Sequence, residues 1–147
     1  MVMPTPFESA QLLLTLYDQR REDTMREART FMVGWDPQSF EDVMAAMVGP
    51  HSGHVRMVAT YWDMACALVE HGAIDRRLFS EVTGEHVLVF AKLQPFLPQL
   101  RQLFSNQDYC RNLEKLVMSL PDAQQIIDGR LAMIRSMLAQ RAAAAKA

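Results

Sequence analysis

Helix punctuation constrains this chain more than any other feature of it. Thr5-Pro6-Phe7-Glu8 reads as a capping box with Pro at the first helical position. The Thr oxygen and the Glu carboxylate would each serve a backbone N–H that a helix start leaves unpaired. Asp36-Pro37 repeats that logic, and Ser105-Asn106-Gln107-Asp108 and Ser119-Leu120-Pro121-Asp122 place an acid at the box position, where it also complements the helix dipole. Gly34, Gly49, Gly72 and Gly84 stand where helices should stop, since glycine accepts the left-handed conformation that follows a helix end. No stretch alternates apolar and polar residues for long, as a strand would. The expectation is an all-α domain over residues 1–147, a bundle of about six to seven helices. Helices are placed over about 6–33, 37–48, 52–71, 75–82, 85–104, 106–119 and 121–142, with residues 1–5 and 143–147 fraying.

A chain of 147 residues, half of them hydrophobic and 22% charged, buries enough surface to hold a core without disulfides or metals. Its 15 basic and 17 acidic residues leave a formal charge of −2, which gives no global attraction to nucleic acid or to an anionic membrane. Cys66 and Cys110 sit among apolar neighbours without CxxC spacing, as expected of two buried thiols in a reducing compartment. The opening Met-Val-Met-Pro-Thr-Pro has no basic segment of the secretory kind, and no run of 18 apolar residues occurs. The expected setting is cytoplasmic, with no membrane and no nucleic acid as partner.

Two helices stand out. Over 52–71, Val55, Met57, Val58, Tyr61, Trp62, Met64, Ala65, Cys66, Leu68 and Val69 cover an arc of roughly 200°, twice that of an ordinary surface helix, so this helix belongs at the centre. Its remaining strip aligns Arg56, Asp63 and Glu70. The segment 85–104 is apolar nearly all round, and Pro95 and Pro98 predict a kink near Gln94.

Candidate chemistry is sparse. His51 and His54 have a spacing that metal sites use, but no Cys, Asp or Glu lies near them in sequence, and no metal site or cofactor is expected. The mixed charges from Asp18 to Arg29 have the i, i+3 and i, i+4 pattern of a salt-bridged exposed face. Asp63 lies mid-helix beside Ala59, Thr60 and Ala67, small residues that admit a close neighbour. A cation such as Lys92 or Arg101 is its expected counterpart. On the last helix Ile127, Leu131, Ile134 and Leu138 form one stripe and Ile126, Met133 and Met137 a second, more apolar surface than docking alone requires. Nucleotide-binding, hydrolase and metalloprotease motifs are absent, and a helix-turn-helix over 75–95 would spend Val87, Leu88, Val89 and Phe90 on base reading.

Leu68-Val69-Glu70-His71-Gly72-Ala73-Ile74-Asp75, followed by Lys92-Leu93-Gln94-Pro95 and Arg101, resembles an uncharacterised family of bacterial all-helical proteins over roughly residues 55–120. That resemblance implies the helical fold and no activity. The leading functional expectation is a non-enzymatic interaction or scaffold module, a homodimer sealed by Ile127, Leu131, Ile134 and Leu138 or a dock for another protein. The alternative is a small-molecule binder or sensor with an apolar pocket between the 52–71 and 85–104 helices. Trp62, Phe90 and Phe96 would wall that pocket, with Asp63, Lys92 and Arg101 as polar anchors. An enzyme would need Asp63 and a histidine to converge in space.

Overall fold

The structure, a computed structural model, describes residues 2–147; Met1, part of the expected fraying start, lies outside them. The described residues hold nine α-helices and no strand: α1 (Pro6–Gln19), α2 (Asp23–Gly34), α3 (Phe40–Val48), α4 (Ser52–Glu70), α5 (Arg76–Val82), α6 (Glu85–Leu93), α7 (Leu97–Leu103), α8 (Arg111–Met118) and α9 (Ala123–Ala145). A 3-10 turn, Gln94–Phe96, joins α6 to α7. The all-α fold expected from sequence is the one found. The helix number is higher because two of the expected helices are each divided.

The first division has a geometric cause. Leu13 and Leu16 are the buried apolar residues of α1, and Met25, Ala28 and Met32 those of α2. At about 100° per residue, one unbroken helix would set these two groups roughly 120° apart. The turn at 20–22 lets both face the core. Glu22 then caps α2, its carboxylate accepting from the Thr24 and Met25 N–H groups at 3.1 and 3.0 Å. Those bonds hold its carboxyl below the usual carboxylate range. The second division is the expected one: α6 ends at Leu93, immediately before Gln94-Pro95, and Pro98 sits in the first turn of α7.

Several helix starts fall elsewhere than expected. Thr5 and Glu8 form their capping box, but α3 is capped by Ser39 and Asp42 rather than started by Asp36-Pro37. Ser105 and Cys110 both have left-handed backbones (φ 48° and 56°), so the chain turns through 105–110 and α8 begins only at Arg111. Asp122 is also left-handed (φ 54°) and makes no side-chain cap for α9. Glycine does meet its expected role after α4, where Gly72 has φ 78° and the Gly72 and Ala73 N–H groups donate to the Val69 and Leu68 carbonyls.

One cluster of buried apolar side chains draws on all nine helices. α4 is its axis, packing against α2, α3, α5, α6 and α8, while α9 lies along α6 and α8. The buried face of α4 differs slightly from the expected arc: Ala59 is inside, where its small side chain admits a neighbour, and Met57 and Met64 are outside. α1 sits further out than the rest. It meets the body through Ser9, Leu13 and Leu16, through a bond from the Tyr61 hydroxyl to the Leu16 carbonyl, and through the Ser9 hydroxyl, which accepts from the Asp75 N–H at 3.0 Å. No described helix is long and apolar enough to cross a membrane.

Candidate functional site

The polar residues picked out by sequence are each engaged with a helix end or the turn beside it. Asp63 accepts the Leu113 N–H at 2.9 Å. Leu113 is the third residue of α8, whose own cap position, Cys110, offers no side-chain acceptor, so a carboxylate from α4 takes the part a local capping residue would play. Lys92 is 97% buried and its ammonium donates to the Val33 and Trp35 carbonyls, closing the C-terminal end of α2. Burial pulls Lys92 down to about 8, with the Asp36 carboxylate acting the other way. Arg101 donates to the Tyr109 carbonyl and to Glu114 Oε1, both at 3.0 Å, and so staples the turn between α7 and α8. Asp63 and Arg101 thus both serve the start of α8, while Lys92 serves the end of α2. Phe90 and Phe96, the expected pocket walls, are core residues. Glu70, on the strip with Asp63, pairs with Arg76 at 2.6 Å and Lys115 at 3.1 Å.

The stripe assigned to a dimer also turns inward. Ile127 and Ile134 are buried and Leu131 and Leu138 half-buried within the single chain, so this stripe docks α9 on its own domain. The large apolar side chains that α9 leaves in solvent are Met133 and Met137. At the start of α4, the His51 and His54 Nδ1 atoms lie 3.1 Å apart, with His51 stacked on Phe31 at 4.2 Å between ring centroids. No group of three or more His, Cys, Asp or Glu side chains able to hold a metal occurs among the described residues.

Trp62 is the member of the expected ligand set that lines a cavity, and it does so away from α6 and α7. A half-open groove of about 290 Å³ runs between α1 and α5. Ala10, Leu13, Leu14, Leu16, Tyr17 and Arg20 come from the α1 side, Leu78, Val82 and Thr83 from the α5 side, and Trp62 from α4. Its rim is apolar yet open to solvent: Leu14 is 68% exposed, Val82 57% and Tyr17 56%. Trp62 is buried, and its indole N–H has no hydrogen-bond partner, an omission that costs about 1–3 kcal/mol for a buried donor.

Arg20 closes one end of the groove. Its guanidinium lies 5.2 Å from the ring centroids of both Tyr17 and Trp62, within cation–π range. The nearest carboxylate oxygen, Glu85 Oε2, is 3.8 Å away, and Glu85 is already held by Arg29 Nε at 3.1 and 2.9 Å. Arg29 also donates to the Arg20 carbonyl at 3.3 Å. The charged run of 18–29 is thus not wholly a solvated face: Arg20 and Arg29 turn toward Glu85, and the side chain of Arg20 is 14% exposed. Behind Trp62 lies His86, buried against Trp62 and Phe79, its Nδ1 unpaired. Burial, helped by the positive charge of Arg130, pushes His86 down to about 4.

Sequence reasoning missed Arg20, Tyr17, Leu14, Leu78 and Val82. A signal for them existed. The angular jump between the Leu13–Leu16 and Met25–Met32 stripes marks 20–22 as a junction, and Leu14 and Tyr17 fall outside the stripe that the core uses.

A family model described as a domain of unknown function, DUF4760, matches residues 6–119, which is α1 through α8 and includes the whole groove. No curated protein and no solved structure matches the chain. The chain belongs to the DUF4760 family.

Proposed function

We propose that this member of the DUF4760 family is a non-enzymatic binding protein that holds a small apolar ligand in the groove between α1 and α5. The observation that carries this reading is the groove itself, floored by Trp62 and rimmed by solvent-exposed Leu14, Tyr17 and Val82. Ligand sites are concave, mostly apolar and furnished with a few polar groups, and this one has that composition. The side-chain polar groups among its lining residues are two hydroxyls, a guanidinium and the Trp62 indole N–H, which suits holding a ligand better than moving protons on it. Titration with Nile red, a neutral dye that brightens in apolar surroundings, tests the reading. Dye should bind the natural protein, and Ala10→Phe, which fills the groove, should remove most of that binding while the melting temperature is kept. Equal binding by the filled variant would contradict it.

A second reading keeps the interaction module. Met133 and Met137 are exposed one turn apart on α9, and the last turns of α9, from Ala139 on, stand in solvent outside the family match. A second copy of the chain, paired along α9, would cover them. Light scattering on the eluted protein decides this: a dimer that Met133→Glu with Met137→Glu converts to monomer supports it, and a monomer at high concentration removes it. The buried, unpaired thiols of Cys66 and Cys110 fit a reducing, cytoplasmic setting for either reading.

A further inference from the structure

The chemistry of the groove's occupant is written in what Arg20 leaves unused. A guanidinium carries five N–H donors in a planar fork, and no side-chain hydrogen bond from Arg20 occurs among the described residues. Its ion-pair neighbour at 3.8 Å is too distant for a hydrogen bond. That neighbour, Glu85, has both oxygens engaged by Arg29. Stacked against Tyr17 and Trp62, the guanidinium is nevertheless held in place at the groove's end. A fixed, mostly buried cation with free donors beside an apolar channel suits an amphiphile with an anionic head.

Charge and size narrow the class. Arg20 and Arg29 flank the single carboxylate of Glu85, and Arg26 and Arg141 line the same cleft as Arg29 and Glu85, so this end of the groove is net positive and favours an anion. A planar carboxylate meets the guanidinium fork in a bidentate pair, whereas a phosphate dianion would bring a second charge toward Glu85. The volume of about 290 Å³ lies just below the range of about 300–1,000 Å³ for ligand pockets, which suits a short or medium hydrocarbon chain or one ring. We propose that the ligand is an apolar monocarboxylate, its tail between Leu13, Leu14, Leu78 and Val82 and its carboxylate on the guanidinium of Arg20. This assignment rests on the groove being the binding site.

Calorimetric titration of the full chain with octanoate and with 1-octanol, its neutral counterpart, separates the two claims. The natural protein should bind octanoate about tenfold or more tightly than octanol. Arg20→Met, which keeps an unbranched apolar side chain and removes the charge, should lose that preference while still binding octanol. The preference should also shrink several-fold as salt is raised, since the head group remains near solvent; this salt test uses the natural protein and stands even if Arg20→Met does not fold. Equal affinity for octanoate and octanol, or a preference that survives both Arg20→Met and high salt, would overturn the carboxylate assignment and leave the groove as a binding site. If neither compound binds, the groove reading fails and the assignment with it.

Discussion

α4 and α1 treat their side chains in opposite ways. On α4 the polar groups that face neighbouring helices complete those helices: Asp63 caps α8, and Glu70 holds Arg76 at the start of α5 and Lys115 on α8. Around it lie residues with almost no exposed surface, among them Val55, Val58, Ala59 and Trp62. On α1 the converse holds. Phe7, Leu14 and Tyr17 remain largely in solvent, and Arg20, just past its end, has donors without acceptors. Burying apolar area and pairing buried polar groups are what stabilise a domain. The body leaves Trp62 Nε1, His86 Nδ1 and the Tyr109 hydroxyl as buried polar groups without partners. α1 leaves apolar side chains in solvent and a guanidinium without an acceptor, and it is at that edge that we propose a ligand binds.

The contrast can be broken most forcefully at its packed end. Phe90 is fully buried on α6, and Phe90→Ala should cost about 3–5 kcal/mol in a urea titration. A loss below about 1 kcal/mol would mean that the body is not the close-packed unit described.

His86 comes next, because it lies where body and groove meet. With its folded-state pKa pushed down to about 4 from an ordinary 6.5, the unfolded chain binds a proton in the interval that the folded chain refuses. Stability should therefore be whole above about pH 6.5 and fall as pH drops toward 4, by up to roughly 3 kcal/mol. His86→Leu should flatten this dependence between pH 7 and pH 4.5 in urea midpoints; an unchanged slope would place its imidazole in contact with water.

Asp63→Ala should cost about 0.5–2 kcal/mol, the value of a lost helix cap, and hydrogen exchange should quicken at residues 111–114. Asp63→Asn, which keeps an acceptor oxygen, should recover most of the loss. At the smallest end, Leu14→Ala should change stability by no more than about 0.5 kcal/mol, as at other exposed sites, while weakening octanoate binding measurably. A Leu14 substitution as costly as a core one would erase the distinction between the two regions.

The fold was largely legible because its signals are local. The Thr5 box, Gly72, the Pro95 break and the wide apolar arc of 52–71 each act within a few residues of themselves. The partners of several charged and polar residues were not legible, for the opposite reason. Asp63 finds its donor 50 residues away, Lys92 its acceptors 57 and 59 away, and Arg29 its carboxylate 56 away. No spacing rule reveals such partners, so the sequence suggests Lys92 or Arg101 as the counterpart of Asp63 when its bond is to the Leu113 N–H, and it leaves Arg20 on a solvated face. The stripe from Ile127 to Leu138 was seen correctly as apolar, but apolarity does not say whether the partner is the same chain or another.

The most direct test of the account is an amide and indole NMR map of the full chain titrated with octanoate. The protein has two indoles, Trp35 and Trp62. The account predicts that the Trp62 indole signal and the amides of residues 10–20 and 78–83 shift, while the Trp35 indole and the amides of α8 stay in place. Shifts centred on α8 and the turn before it, or no shift at either indole, would contradict it.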